Sequence, residues 1–500
     1  MSTRLALKSL PAHADKAVAA SPFASGLSPG LTGIIHILTC GSVDDGKSTL
    51  IGRLLWDASD LPDDTRANMI ASAGPDGIPD LSLLVDGLVA EREQGITIDI
   101  AWRYFDARSR RHVIIDSPGH EQYTRNMASG ASHADVAIML IDARHGIKVQ
   151  TRRHAAILNL VGLRRVILAV NKMDLVDWSE QKFRDIEREF GAIAQRFRFD
   201  DAIAVPVAAR FGDNVAARSA HMPWYSGSTL IEQLSVVPGR SQSHSDKFRM
   251  PVQMVVRDGH DFRGLAGTIS SGRISVGATV QDAISGRQAK VRRILSMNNE
   301  RLVAHESEAV VIELDADLDV ARGTVLADPA HAPQHSRRFA AQIVWLADEP
   351  LSTANGMLLR TPTDSVPVSS LEIESLLDLD TLQQIAGHDC AVNDIAQANI
   401  TLARAAVLET FDGHRELGSF VLVDALNGAT LAGGVVIDLL TTQVNLEQKS
   451  GAFRLTAEML ERGICSDLIS GSAEFRRRAE HVATILASAG VRVEIEENAA

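Results

Sequence analysis

Cysteine is scarce in this 500-residue chain: Cys40, Cys390 and Cys465 are the only three, far apart in sequence. They have no metal-type spacing and read as reduced thiols, which excludes a disulfide scaffold or a structural zinc site. No run of about 18 apolar residues occurs, so no membrane-spanning helix is expected. Positive charge is also short. Fifty Lys and Arg against 63 Asp and Glu leave a formal net charge of −13. That balance argues against a protein that grips nucleic acid mainly through its phosphates. The first 30 residues are rich in Ala, Ser and Pro and lack the uninterrupted apolar core of a secretory signal, so they read as a flexible extension. What remains is a cytoplasmic chain of well-mixed charge, with no membrane and no nucleic-acid partner expected, and material for roughly two to four domains.

The most informative segment that is present is Gly41-Ser42-Val43-Asp44-Asp45-Gly46-Lys47-Ser48. It fits the P-loop pattern G-x-x-x-x-G-K-[ST]. Its glycines let consecutive backbone N–H groups curl inward onto a β-phosphate. Lys47 supplies a point charge to the β/γ-phosphates and the Ser48 hydroxyl can ligate Mg²⁺. The apolar, β-branched run before it (34–40) predicts a buried strand, and the spacing of apolar residues in 50–56 predicts a helix. Strand, loop and helix together are the context that the motif requires.

A P-loop specifies a nucleotide but not which one. Three further segments narrow the choice. Val113–His120 is a strand running into Asp116-Ser117-Pro118-Gly119-His120. Asp116 can hold Mg²⁺ through water, and the Gly119 N–H can sense a γ-phosphate. Val166–Val170 leads into Asn171-Lys172-Met173-Asp174. The Asp174 carboxylate can accept from the guanine N1–H and exocyclic amine, a pairing that adenine cannot satisfy. Asn171 can tie this loop to the P-loop, and the Lys172 stem can cover the base. Between the P-loop and Asp116, Thr97 in Gly95-Ile96-Thr97-Ile98-Asp99 can complete a Mg²⁺ shell and bond the γ-phosphate. Singly these motifs are weak. In this order they specify guanine-nucleotide binding.

Short apolar strands alternate with helical stretches from Thr32 to about Leu234, the pattern of a parallel sheet covered on both faces. Ser235–Asp246 is polar, carries a Pro-Gly pair and reads as a linker. After it the period changes to β alternation with Gly turns, which predicts an antiparallel barrel. A second β-rich region spans about 338–440, interrupted by the leucine- and acid-rich Ser370–Gln384. In the last 50 residues, Phe475, Ala479, Val482 and Leu486 share one helical face, followed by a strand near Val491–Ile495.

The nucleotide motifs resemble the elongation-factor class of translational GTPases, which share G-x-V-D-x-G-K-[ST], D-x-P-G-H and N-K-x-D. The chain resembles still more closely the GTPase (large) subunits of bacterial sulfate adenylyltransferase. Leu38–Leu55, Leu84–Ile100, Pro118–Ala128, Leu140–Arg144 with Gln150–His154, and Gly212–Val215 with Met222–Gly227 carry that likeness. It is strong over about 31–335 and thins across 338–440. The resemblance implies an α/β P-loop GTPase domain (31–240), two antiparallel β-barrels (247–335 and 338–440) and a small α/β tail (441–500). It implies GTP and Mg²⁺ as cofactors. It also implies a heterodimer in which GTP hydrolysis drives a smaller catalytic adenylyltransferase subunit to form adenosine 5′-phosphosulfate and pyrophosphate from ATP and sulfate.

By the same resemblance Gly41–Ser48 cradle the phosphates, Ser48, Thr97 and Asp116 serve Mg²⁺, Gly119 senses the γ-phosphate, and His120 positions the attacking water beside Lys47. The family's last guanine loop usually reads Ser-Ala-Leu. Here it is Ala208-Ala209-Arg210. The Ala209 N–H can still meet guanine O6, while the missing hydroxyl puts the loop's rigidity in question. The alternative on the same G domain is an elongation-factor-type GTPase that delivers a charged tRNA. Arg462–Leu468 and Phe475–Glu480 resemble part of an adenylylsulfate kinase. No second P-loop exists in the chain, so such a segment would be a remnant without kinase activity.

Overall fold

The computed structural model describes residues 33–440, apart from 59–60, 72, 74–76, 86–96, 98, 108–109, 240–246, 259–261, 298 and 354–355. Beyond these it describes 453–455, 475, 477–478, 480–481 and 493–495. The N-terminal extension and the segment Arg462–Leu468 lie outside the described residues.

The first domain is a six-stranded sheet. Its strands are β1 (Ile35–Gly41), β2 (Ala101–Ala107), β3 (Arg110–Asp116), β4 (Val136–Asp142), β5 (Arg165–Asn171) and β6 (Asp201–Pro206), ordered β2-β3-β1-β4-β5-β6. All neighbours are parallel except the edge strand β2, which runs antiparallel to β3. Alternation along β1 sends Leu38 and Cys40 into one core with Met139, Phe183 and Phe190. Ile35 and Ile37 enter another with Leu50, Leu54 and Leu230. A sheet buried on both faces needs near-continuous apolar strands, which is how β1 and β4 read. The helices are α1 (Lys47–Ala58), α2 (Asp63–Ala71), α3 (Thr124–His133), α4 (Val149–Leu160), α5 (Glu180–Arg196) and α6 (Leu230–Val236). Helix α6 is closed by a Thr229/Glu232 capping box, which satisfies two of its first N–H groups. The P-loop, the Asp116 segment and the Asn171 segment follow β1, β3 and β5. Parallel strands therefore deliver all three to one edge of the sheet, where ligands of open α/β folds bind.

The second domain is an antiparallel sheet of short strands from Arg249–Pro251 to Val325–Ala327. It curls until Arg249 bridges Ser271 at the end of Phe262–Thr268. The third domain is a closed barrel. Met357–Arg360 pairs with both Ser419–Asp424 and Ser365–Leu377, completing a ring with Thr430–Leu439, His335–Trp345 and Ile395–Val407. The stretch Ser370–Gln384 interrupts the β region only in its second half, where 378–383 turn into the short strand Gln384–Ile385. Its first half belongs to the 13-residue strand Ser365–Leu377, with Ile373 and Leu377 inward and Glu372 and Glu374 outward. The acids sit on its solvent face, so they mask a period-2 pattern. The two barrels are tied by Arg249, 3% exposed, whose Nε donates to Glu409 Oε1 at 2.7 Å.

The third domain also packs on the first. Leu346, Leu382 and Val435 share a core with Met127, Phe197 and Ala131. Arg125 donates to the carbonyls of Leu346 (3.1 Å) and Thr430 (3.5 Å), and Arg196 to that of Leu382 (3.0 Å). Residues 440–500 form a separate compact unit. In it Phe453–Leu455 pairs in parallel with Val493–Ile495, and Phe475 is fully buried on helical backbone. No helix among the described residues is long and apolar enough to cross a membrane.

Candidate nucleotide site

The P-loop holds its shape through its own polar groups. The Ser42 N–H donates to Asp45 Oδ2 at 2.7 Å, and Lys148 Nζ on the approach to α4 donates to Asp45 Oδ1 at 3.2 Å. Asp44 and Gly46 both adopt positive φ, 66° and 93°. A side chain at 46 would be strained and would also displace Asn171, since a Cβ there would lie 2.4 Å from Asn171 Nδ2. Lys47 is 7% exposed, and its Nζ donates to the Gly41 and Ser42 carbonyls, both at 2.9 Å. Burial pushes its pKa down while Asp116 and Asp45 oppose the shift, so a polyanion would relieve a buried cation. The Ser42 hydroxyl is buried with no hydrogen-bond partner, which fits a loop built to take phosphate oxygens.

Asp116, 1% exposed, accepts from Thr39 Oγ1 at 3.3 Å, and Ser117 Oγ donates to the Thr39 carbonyl at 2.7 Å. These bonds fix the end of β3 against β1. Next in the chain, a Cβ on Gly119 would lie 2.2 Å from Lys47 Nζ and 2.6 Å from the Gly41 carbonyl, so this backbone presses directly on the P-loop. Ser48, Thr97 and Asp116 are hard oxygen donors of the kind Mg²⁺ selects, together with phosphate oxygens and water. Among the described residues no cluster of three or more His, Cys, Asp or Glu suits a metal. Thr97 is half-buried. Its neighbours Gly95, Ile96 and Ile98 lie outside the described residues.

The base side is assembled by long-range bonds. Asn171 Nδ2 donates to the Asp45 carbonyl at 2.9 Å, and Asn171 Oδ1 accepts from the Ala209 N–H at 3.0 Å. One amide thus joins the P-loop, β5 and the Ala208–Arg210 loop. The Ala209 N–H expected to meet guanine O6 is the one held by Asn171. Lys172, at φ 62°, reaches over the P-loop to the Asp44 carbonyl and lies 3.1 Å from Asp142 Oδ2. Asp142 also receives Arg144 Nη2 at 2.7 Å and Nε at 3.0 and 3.2 Å. Burial alone would raise the Asp142 pKa, but these hydrogen bonds win and hold it well below the carboxylate range. The anchored ammonium stretches the Lys172 stem into a strap. Asp174 is half-buried at the first turn of a short 3₁₀ helix. Burial raises its pKa, with Arg210 and Lys172 opposing and Asp213 reinforcing the shift.

His120 begins the next 3₁₀ turn. Its extended backbone (φ −81°, ψ 141°) places Nδ1 to accept from the Gln122 N–H at 3.3 Å, and Tyr123 stands edge-on to the ring at 6.2 Å. With Nδ1 accepting, a neutral ring carries its proton on Nε2.

Residues 32–314 match the family of the elongation factor Tu GTP binding domain, and 338–437 the family of GTP-eEF1A C-terminal domain-like sequences. "Sulfate adenylyltransferase subunit 1" of Saccharophagus degradans is 41% identical over 433 residues, 86% of this chain and 92% of that one. The chain belongs to the sulfate adenylyltransferase subunit 1 family. "Bifunctional enzyme NodQ" of Rhizobium tropici is 43% identical over 407 residues, 81% of this chain, which spans 64% of that relative's length. The same protein of Azospirillum brasilense is 42% identical over 83% of this chain and 68% of its own.

In this member of the family the structure brings the P-loop, Asp116–His120, Asn171–Asp174 and Ala208–Ala209 to one edge of a GTP-binding domain. Sequence reading missed several residues that hold them: Arg53, Asp142, Lys148 and Asn393. Asp142 lay in a recognised run without a role, and nothing local marks Asn393. Asn393 is 7% exposed, adopts φ 69°, and donates from Nδ2 to the Glu121 carbonyl at 3.1 Å. The third domain therefore holds the residue next to His120. Arg153 grips the same residue by its Oε2 at 3.2 Å and reaches back to Gln150 Oε1 at 2.6 Å. Replacing Asn393 by Gly keeps the left-handed backbone accessible and deletes the amide. A net hydrogen bond implies a loss of roughly 2–10-fold in GTP turnover, with GDP affinity unchanged. A stopped-flow binding assay beside a phosphate-release assay checks both.

Three side chains of the family-like runs serve packing: Trp224, Tyr225 and His154. Trp224 Nε1 donates to the Trp178 carbonyl at 3.0 Å, and Trp224 and Tyr225 lie against Phe183. The pKa of His154 is pushed down to about 3 by burial, with the Lys47 and Arg153 charges adding to the shift, and its ring lies beside Gln150.

Proposed function

We propose that this chain is the GTPase subunit of a two-subunit sulfate adenylyltransferase. GTP hydrolysis here drives a smaller catalytic subunit to join ATP and sulfate into adenosine 5′-phosphosulfate and pyrophosphate. The observation that carries this reading is the 41% identity across 92% of a sulfate adenylyltransferase subunit 1, at a chain that retains the P-loop, Asp116–Gly119 and Asn171–Asp174 motifs. Phosphoryl transfer to water asks little covalent chemistry of a protein; positioning and charge stabilisation dominate. The P-loop N–H groups and Lys47 would hold the β/γ-phosphates, and Ser48, Thr97 and Asp116 would hold Mg²⁺, which neutralises developing charge when bound. Gly119 would register the γ-phosphate, and His120 would orient the water.

Single-turnover GTP cleavage, with and without the small subunit, ATP and sulfate, tests this. Stimulation by the full set, accompanied by sulfate-dependent pyrophosphate release, is the expected result. No stimulation overturns the coupling. Tight binding of aminoacyl-tRNA would assign the chain to translation instead.

A further inference from the structure

The loop Ala208-Ala209-Arg210 has no side-chain hydroxyl to stiffen it, yet it is tightly held. The Ala208 carbonyl accepts from the Phe211 N–H (3.0 Å) and the Gly212 N–H (2.9 Å), and the Ala208 N–H reaches the Asp213 carbonyl (3.3 Å). Those bonds close the turn but leave the Ala209 and Arg210 carbonyls outside it. Both are taken by one side chain. Arg53 Nε donates to the Ala209 carbonyl at 3.2 Å and Arg53 Nη2 to the Arg210 carbonyl at 2.6 Å. The guanidinium is aimed by Asp57 one turn on, which accepts from Nη1 at 3.3 Å, and its side chain is 13% exposed. Gly212, at φ +87°, lies flat on it, and a Cβ there would come within 3.5 Å of the guanidinium.

A peptide unit is planar, so holding its carbonyl also sets its N–H. Arg53 thereby orients two consecutive peptide planes, while Asn171 Oδ1 holds the Ala209 N–H from the other side. Arg53 sits on α1, the helix that opens with Lys47 and Ser48. One rigid fork thus connects the helix of the phosphate loop to the loop beside the base. A planar guanidinium can bridge two carbonyls in this way, whereas a lysine ammonium acts as a point charge on a flexible stem.

We propose that Arg53 is a specificity-positioning residue: it sets the Ala208–Arg210 loop so that a backbone N–H of that loop reads the 6-oxygen of guanine. The inference rests on the guanine-nucleotide reading of the site and names the part of the base that Arg53 serves.

Three diphosphates separate the roles in the full chain, with binding measured by calorimetry. In 6-thio-GDP a poor sulfur acceptor replaces O6. IDP keeps O6 but lacks the amine assigned to Asp174. Arg53→Ala is expected to weaken GDP binding roughly tenfold, as for two lost hydrogen bonds. It should shrink the preference for GDP over 6-thio-GDP by a similar factor and leave the preference for GDP over IDP within about twofold. Arg53→Lys should recover only part of the loss, and serves as the readout if the Ala variant does not fold. Equal weakening of GDP and 6-thio-GDP, or no change in either, overturns the proposal. A wild-type chain that fails to prefer GDP over ADP would instead overturn the guanine reading itself.

Discussion

Asp174→Asn is expected to turn a guanine site into a xanthine site. Xanthine carries an oxygen where guanine has its exocyclic amine, so the donor that Asn presents meets an acceptor. In the proposed native site that position belongs to a carboxylate, whose two partners on guanine would both be donors. Loss of two hydrogen bonds to a charged group predicts GTP affinity falling by on the order of 10²–10⁴-fold, with XTP gaining part of what GTP loses. The effect should be confined to the base. The P-loop contacts of Asn171, the Lys172 strap and the Asp142 anchor do not pass through Asp174, so the melting temperature and the rate of XTP cleavage at saturation should stay near the native GTP values. Competition binding with GTP and XTP decides it, and unchanged selectivity would remove Asp174 from the base site.

His120→Ala carries the second large effect, on turnover. Positioned proton-handling side chains contribute about 10²–10⁴-fold to rate, and a loss of that order is expected in the single-turnover cleavage of GTP. The ring has a second job that must be separated from the first, because Nδ1 caps the 3₁₀ turn at Glu121–Tyr123. His120→Asn keeps an acceptor for the Gln122 N–H and lacks Nε2. If the catalytic reading holds, Asn is nearly as slow as Ala, and both bind GDP as the native chain does. An Asn variant restored to native turnover would make the residue a structural cap. A parallel loss of GDP affinity in both variants would say the same, since a group that acts in the transition state lowers turnover without lowering ground-state binding.

The parts of the site that were legible in sequence are those formed by contiguous residues. Gly41–Ser48 follows β1 and opens α1 because the strand run is apolar and the helix run is periodic, and its glycines permit the curl that binds phosphate. The exposed acids of Ser365–Leu377 show the opposite case. There, local composition concealed a strand, because neighbouring strands decided which face was buried. The support of the loops was equally hidden. Arg53 finds the Ala209 carbonyl across 156 positions, and Asn393 finds Glu121 across 272.

By itself the sequence determined a GTP-binding domain with its P-loop and nominated the residues for phosphate and base, because such ligands are read by short motifs whose backbone geometry and carboxylate chemistry are local. Only the tertiary structure decided what holds those motifs in register: a guanidinium from α1 on the base loop, an aspartate anchoring the Lys172 strap, and a barrel asparagine on the residue after His120. Such contacts have no signature in sequence. A hydrogen bond needs two groups within about 3 Å, and residues far apart in sequence reach that separation only through the packing of the whole domain.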